Sequence, residues 1–137
     1  MAFESEDYNT LQIRYSDILK NLEYIECDIG WFDIIDKCLS DILKICYEAG
    51  ANVQIVQIKE KFGGLRIYYE LEDAQNNLDV YKQINDAIDI AEDESYTICE
   101  YCGEEGKLQR KGWWKTLCIM HQHSLRSEEH TSELQSH

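Results

Sequence analysis

Three cysteines and one histidine of the chain fall into two pairs, Cys99-Glu100-Tyr101-Cys102 and Cys118-Ile119-Met120-His121. A spacing of two intervening residues lets a backbone knuckle or a helical turn aim both side chains of a pair at one point, and two such pairs complete a tetrahedron of the kind zinc adopts. Three thiolates and one imidazole fill all four positions and leave none for a water nucleophile. The expected chemistry is therefore structural: one zinc ion on Cys99, Cys102, Cys118 and His121 that staples a fold. His123 is the rival fourth ligand, since longer cysteine-to-histidine spacings also occur. A histidine-dependent nuclease built on such a module would need a histidine base and further cation ligands, which these two histidines do not supply. Cys27, Cys38 and Cys46 lie in or beside a helical pattern, where a free thiol behaves as a small hydrophobe, and no function is assigned to them.

A second group of residues could recognise an anion. Lys59, Lys61 and Arg66 flank Gly63-Gly64, and Lys107, Arg110, Lys111 and Lys115 accompany Trp113-Trp114. Cations beside ring faces, with glycines that allow close backbone approach, suit a ligand carrying both phosphate and a flat base. The candidate ligand-binding set is Lys59, Lys61, Phe62, Gly63, Gly64, Arg66, Arg110, Trp113 and Trp114. The competing reading is structural: the glycines make a turn, Phe62 caps the core, the tryptophans pack the zinc module, and the bases serve solubility. Asp28, Asp33 and Asp36 near a helix start could suggest an enzyme, but acids there are ordinarily capping or dipole partners, and no nucleophile or base accompanies them.

The elements that must position these residues follow from periodicity. Leu11, Tyr15, Ile18 and Leu22 predict a helix from about Tyr8 to Tyr24; Phe32, Ile35, Leu39, Ile42, Leu43 and Cys46 predict a stronger one that stops at Gly50. From Val53 to Ile58 and again from Leu65 to Leu71 the pattern is strand-like, with Gly63-Gly64 as the hairpin turn. Leu78, Tyr81, Ile84, Ile88 and Ala91 predict a third helix from about Ala74, ending in Glu92-Asp93-Glu94, a solvated run or a partner for the basic segment downstream. Gly103 and Gly106 suit the knuckle, and Leu108 with Trp113 to Leu117 a small zinc hairpin. The fold class is α+β: helices packed on a small antiparallel hairpin or sheet, followed by a treble-clef or zinc-ribbon module. The expected organisation is an α+β core over 1–95 and a zinc module over 96–125 packed on it.

With 137 residues, 44% hydrophobic content and no proline, the chain suits a single globular core. No apolar run reaches the length of a membrane helix and the acidic start lacks the pattern of an export signal, so the expected location is the cytoplasm. A net charge of −14 argues against extensive binding to a phosphate backbone, so an anionic partner must meet a local patch. A homo-oligomer is compatible with all of this. Residues 126–137 resemble the conceptual translation of a sequencing adapter, are expected to be a non-native tail and are excluded from fold reasoning.

The string Lys59-Glu60-Lys61-Phe62-Gly63-Gly64-Leu65-Arg66, preceded by Gly30-Trp31-Phe32-Asp33 and followed by the two ligand pairs, resembles a family of small uncharacterised bacteriophage and bacterial proteins over most of the chain. That resemblance implies a phage or bacterial origin and the cytoplasm of a bacterial host. Small phage proteins often act stoichiometrically, which by analogy favours ligand binding. The expected function is non-catalytic binding of a small phosphate-bearing, nucleotide-type ligand, with sequestration of a host immune nucleotide signal as one form of it. The alternative is a zinc-stabilised adaptor that docks on a host or phage protein through the tryptophans of the zinc hairpin.

Overall fold

Residues 2–122 are described in a computed structural model; His123, the end of the expected zinc module and the segment 126–137 lie outside the described residues. The chain forms helix α1 (Ser5–Arg14), helix α2 (Phe32–Ala49), strands β1 (Val53–Lys61) and β2 (Gly64–Leu71), helix α3 (Leu78–Ser95), and strands β3 (Lys107–Gln109) and β4 (Lys115–Leu117). Short 3-10 turns at Ile29–Trp31 and Ala74–Asn76 precede α2 and α3. The fold is α+β, with two antiparallel hairpins, β1–β2 and β3–β4.

Helix α2 follows its periodicity: Ile35, Leu39, Ile42 and Cys46 are buried, and Gly50 ends it in the left-handed region at φ 63°. The first helix is shorter than the sequence predicts. Leu11, Tyr15, Ile18 and Leu22 are all buried, yet the helix stops at Arg14. The reason is competition for backbone groups. The Ile18 carbonyl accepts the Ile55 N–H at 2.8 Å, and the Gln54 side-chain amide donates to the Asp17 carbonyl at 2.7 Å while accepting the Lys20 N–H at 3.2 Å. A segment whose peptide groups serve β1 cannot also continue an i to i+4 ladder.

Strand β1 carries a bulge between Ile55 and Gln57, which resets its alternation so that both Ile55 and Ile58 point into the core. Lys61 pairs with Gly64, so the connecting turn consists of Phe62 and Gly63, at φ 55° and 81°. This corrects the expectation of a Gly63-Gly64 turn. Positive φ at both central residues gives the turn whose twist matches a hairpin, but it places a bulky phenylalanine where asparagine or glycine is the ordinary occupant.

Helix α3 starts at Leu78, after the 3-10 turn at Ala74–Asn76. Its inward face is Val80, Ile84, Ala91 and Ser95, while Leu78 and Tyr81 are exposed. One apolar cluster extends from Leu11 to Ala91 and joins α1, α2, the β1–β2 hairpin and α3. Cys38 and Cys46 belong to it and Cys27 packs against it. Burial pushes the Cys38 thiol up to about 12 and raises Cys27 and Cys46 as well, which suits inert core thiols. No helix among the described residues is long and apolar enough to cross a membrane.

Candidate metal centre and aromatic groove

The first ligand pair sits on a knuckle. Gly103, at φ 83°, donates its N–H to the Cys99 carbonyl at 2.9 Å and turns the chain back so that Cys99 and Cys102 face the same point. The β3–β4 hairpin returns the chain to Cys118, and residues 119–122 are helical, which brings His121 round to the same side. The four side chains converge: their ligand atoms lie within 4.8 Å of one another. His121 Nδ1 is 3.4 Å from Cys99 Sγ and 3.1 Å from Cys118 Sγ, and Cys102 Sγ is 3.6 Å from Cys118 Sγ. A tetrahedron with metal–sulfur bonds of about 2.3 Å has edges of roughly 3.8 Å, so these separations suit one shared metal ion with little adjustment. All four cysteine and histidine positions named from the sequence are brought together, and the three thiols are free of disulfides. Burial pushes the Cys118 thiol up, but the His121 N–H and ring and the neighbouring thiols more than offset it and hold it at about 7. The Cys102 thiol stands at about 11, raised chiefly by burial and by its hydrogen bonds to Cys118 and Cys99.

This knuckle presses on the turn before α2. Gly30 donates its N–H to the Glu100 carbonyl at 2.7 Å, and a Cβ on Gly30 would stand 2.1 Å from the Cys99 carbonyl oxygen. Trp31, fully buried, donates its indole N–H to the Ile98 carbonyl at 2.9 Å. Glu100, between the two cysteines, is 1% exposed; it accepts the Asp28 N–H and pairs with Lys115 at 3.2 Å. Burial raises the Glu100 carboxyl, partly countered by Lys115 and the Asp28 N–H. Burial would lower Lys115, but Glu100 and Glu60 reverse that and raise it. Gly106 serves close packing against Cys99 and Leu117 instead of the knuckle itself. Asp36 accepts the Tyr15 hydroxyl and pairs with Arg14 at 3.0 Å, a structural use of one of the three acids near the α2 start.

The tip of the β3–β4 hairpin lies against the turn of β1–β2. Thr116, fully buried, donates its hydroxyl to the Gly63 carbonyl at 2.7 Å, and a Cβ on Gly63 would stand 2.3 Å from a Leu108 methyl. Between the two tips is a groove of about 970 Å³ lined by Phe62, Arg66, Tyr96, Leu108, Arg110, Gly112, Trp113 and Trp114. Phe62 meets Trp114 edge-on at 6.2 Å, and the Arg110 guanidinium lies over the Trp114 ring at 5.2 Å. Trp113 is 87% exposed, Phe62 62% and Trp114 40%.

Of the nine candidate ligand residues, Phe62, Arg66, Arg110, Trp113 and Trp114 share this groove, and Lys59, Lys61, Gly63 and Gly64 are not in its lining. Lys59 pairs with Arg66 across the ladder and bridges to Glu26, and Lys61 holds its ammonium 5.6 Å from the Phe62 ring. Neither glycine leaves room for a ligand at its backbone: Gly63 is filled by Leu108, and a Cβ on Gly64 would stand 2.4 Å from the Tyr96 hydroxyl. Arg66 is already engaged, by Glu92 at 2.9 Å and the Tyr96 hydroxyl at 3.3 Å. The acidic end of α3 therefore serves Arg66 and, through Glu94, Lys37 at 3.1 Å, and not the basic segment downstream. Tyr96, Leu108 and Gly112 also line the groove, and no pattern in the sequence singles them out as ligand residues. No family model, curated protein or solved structure matches the chain.

Proposed function

We propose that the chain is a non-catalytic binding module, stapled by one structural zinc ion, whose groove takes a small ligand with a flat ring and a single phosphate. The observation that carries this reading is the convergence of Phe62, Arg110, Trp113 and Trp114 from two separate hairpins on one groove. Three large rings at the mouth of a groove, two of them mostly solvent-exposed, are suited to stacking on a base. Phe62 adds weight to this, because a phenylalanine at positive φ is strained, and strain of this kind concentrates where a side chain has a task beyond the fold.

The charge balance narrows the ligand. Of the two cations in the lining, Arg66 is answered by Glu92, which leaves Arg110 outside the ion pairs formed among the described residues. One unpaired cation in the lining matches one phosphate better than a triphosphate. No histidine, cysteine, serine or carboxylate lines the groove among the described residues, which favours binding over turnover. Sequestration of a nucleotide signal is one form such an activity takes. For the metal, a donor set of three thiolates and one imidazole is typical of structural zinc, and the sequence of knuckle, hairpin and ligand-bearing helical turn follows the order of a treble clef.

A protein-docking role is the second reading, favoured by the mainly apolar lining and by Trp113, which projects with most of its surface free. Calorimetry of the zinc-loaded chain against nucleosides, nucleoside monophosphates, cyclic mono- and dinucleotides and triphosphates separates the two. Binding confined to nucleoside monophosphates and cyclic mononucleotides, weakened by Arg110→Ala and Trp114→Ala, supports the first reading. Absence of binding across the panel defeats it and leaves docking.

A further inference from the structure

Among the described residues, the buried apolar set around the metal cluster consists of Cys99, Leu117 and Cys118, with Tyr101 packed against it. Two of those three buried residues are themselves metal ligands. The main core, by contrast, runs from Leu11 to Ala91 and includes no residue of the β3–β4 hairpin. That hairpin has three residue pairs, Lys107 with Leu117, Leu108 with Thr116 and Gln109 with Lys115, and a two-stranded ribbon of this size does not hold its shape in water unaided. Yet its tip supplies Arg110, Trp113 and Trp114, one wall of the groove, while Phe62 and Arg66 of the opposite wall belong to the β1–β2 hairpin, which the main core supports.

From this asymmetry we infer that metal occupancy controls the groove: the ion organises the hairpin that carries the tryptophan wall, and its withdrawal releases that wall while the helical core and the Phe62 wall stay folded. This regulation rests on the reading of the groove as the binding site. What binds the metal is then also what enables the site, because the free energy of metal binding is free energy of folding for a segment with almost no core of its own. Cys102 is the exposed member of the ligand set, so the centre is reached from solvent and exchange with free metal does not require the core to open. The remaining ties across the groove are few: the Thr116 hydroxyl on the Gly63 carbonyl, Leu108 against Gly63, Lys115 with Glu60 at 3.5 Å, and the edge of Phe62 on Trp114. Each is made by the β3–β4 hairpin in its paired form, so they lapse together when the hairpin opens.

The test uses the full chain carrying Trp113→Phe, which leaves Trp31 and Trp114 as fluorophores, loaded with zinc and then treated with a chelator. Trp31 is buried in the core, so acrylamide reports chiefly on Trp114. Withdrawal of zinc should raise quenching by about threefold while ellipticity at 222 nm stays within about a tenth of its loaded value, and zinc addition should restore the loaded quenching. Cys118→Ser should show the released state at all zinc concentrations, and Cys46→Ser, which touches only the core, should respond as the parent does. Unchanged quenching after zinc loss overturns the inference, because the hairpin then stands without the metal. Loss of the 222 nm signal together with zinc overturns it too, since core and module then unfold as one. Calorimetry of the parent chain, with Trp113 intact, against cyclic AMP and the rest of the nucleotide panel in loaded and stripped form separates this inference from the ligand reading: a quenching change in the variant without nucleotide binding to either form of the parent keeps the switch and refutes the ligand.

Discussion

Replacing Gly30 by alanine tests how the metal centre is seated on the core. The added methyl carbon would stand 2.1 Å from the Cys99 carbonyl oxygen, 2.4 Å from that of Glu100 and 2.6 Å from the Glu100 carbonyl carbon. All three are backbone atoms of the knuckle, so no side chain can rotate away, and restoring ordinary contact near 3.4 Å requires a shift of more than about 1 Å. Such a shift breaks the Gly30 N–H bond to the Glu100 carbonyl and pulls the Glu100 carboxylate from the Asp28 N–H. Two hydrogen bonds at about 1 kcal/mol each, or overpacking relieved at a cost of about 1–3 kcal/mol, put the loss at roughly 1–3 kcal/mol. With a urea dependence of about 2 kcal/mol per molar, the unfolding midpoint of the zinc-loaded protein should fall by roughly 0.5–1.5 M. Zinc affinity, measured by competition with a chromophoric chelator, should fall about tenfold or more because Cys99 moves with the knuckle. Gly50→Ala is the control: nothing lies within 4 Å of its added carbon, so only the left-handed backbone is penalised, by about 1 kcal/mol, and zinc affinity should not move. If Gly30→Ala shifts the midpoint by less than about 0.3 M and leaves zinc affinity intact, the seating of the knuckle on this turn is not what holds the module in place.

Three other outcomes are expected. Phe62→Asn relieves a positive φ and should raise stability by about 0.5–1 kcal/mol in melting curves while weakening nucleotide binding, a stability gain at the expense of the groove. Arg66→Gln should lower stability by about 1–3 kcal/mol in urea titrations, since it strips Glu92 and Tyr96 of a partly buried partner, whereas Arg110→Ala should stay within about 0.5 kcal/mol and lose only binding. The hydroxyls of Tyr15 and Tyr69 are both pushed up to about 12 from an ordinary 10, chiefly by burial, so the folded state holds these protons more tightly than the unfolded one. Their contribution is whole below pH 10 and is lost as pH climbs toward 12. Tyr15→Phe should flatten part of that alkaline decline when unfolding is followed against pH.

The parts of this fold that were legible in the sequence are those in which one local signal agrees with its surroundings. Helix α2 has an uninterrupted apolar stripe and a glycine at its end, and both boundaries follow. The cluster of Cys99, Cys102, Cys118 and His121 was legible because ligand chemistry fixes residue type and spacing together. The first helix misled because periodicity reports which side chains are inside, and Tyr15, Ile18 and Leu22 are inside, but it does not report what their peptide groups bond to. The bid of Ile55 and Gln54 for the backbone around Ile18 is tertiary, and nothing local announces it. Gly30 belongs to the same class: its need for close approach comes from a knuckle some seventy residues downstream, at Cys99 and Glu100.

The segment from Lys59 to Arg66 shows why a motif with phosphate-loop composition is a weak guide to where a ligand sits. Glu60 accepts the Gly63 N–H at 2.7 Å and pairs with Lys115; Gly63 is filled by Leu108; Gly64 makes way for Tyr96; the Leu65 N–H binds the Ser95 hydroxyl at 2.9 Å; and Arg66 is taken by Glu92. These five positions are thus a receptacle, into which α3 and the β3–β4 hairpin are fitted, and their charges are largely answered within the protein. Phe62 is the exception, exposed and strained, and it stands where the two hairpins meet. A motif of this kind specifies how the metal module docks, and the groove is a consequence of that docking: the glycines and charges place the second hairpin, and the placement brings Arg110, Trp113 and Trp114 opposite Phe62. On this account, substitutions in the motif other than at Phe62 disturb binding by moving the tryptophan wall, and their effect on a nucleotide should scale with their effect on stability, whereas substitutions at Phe62, Arg110 or Trp114 should separate the two.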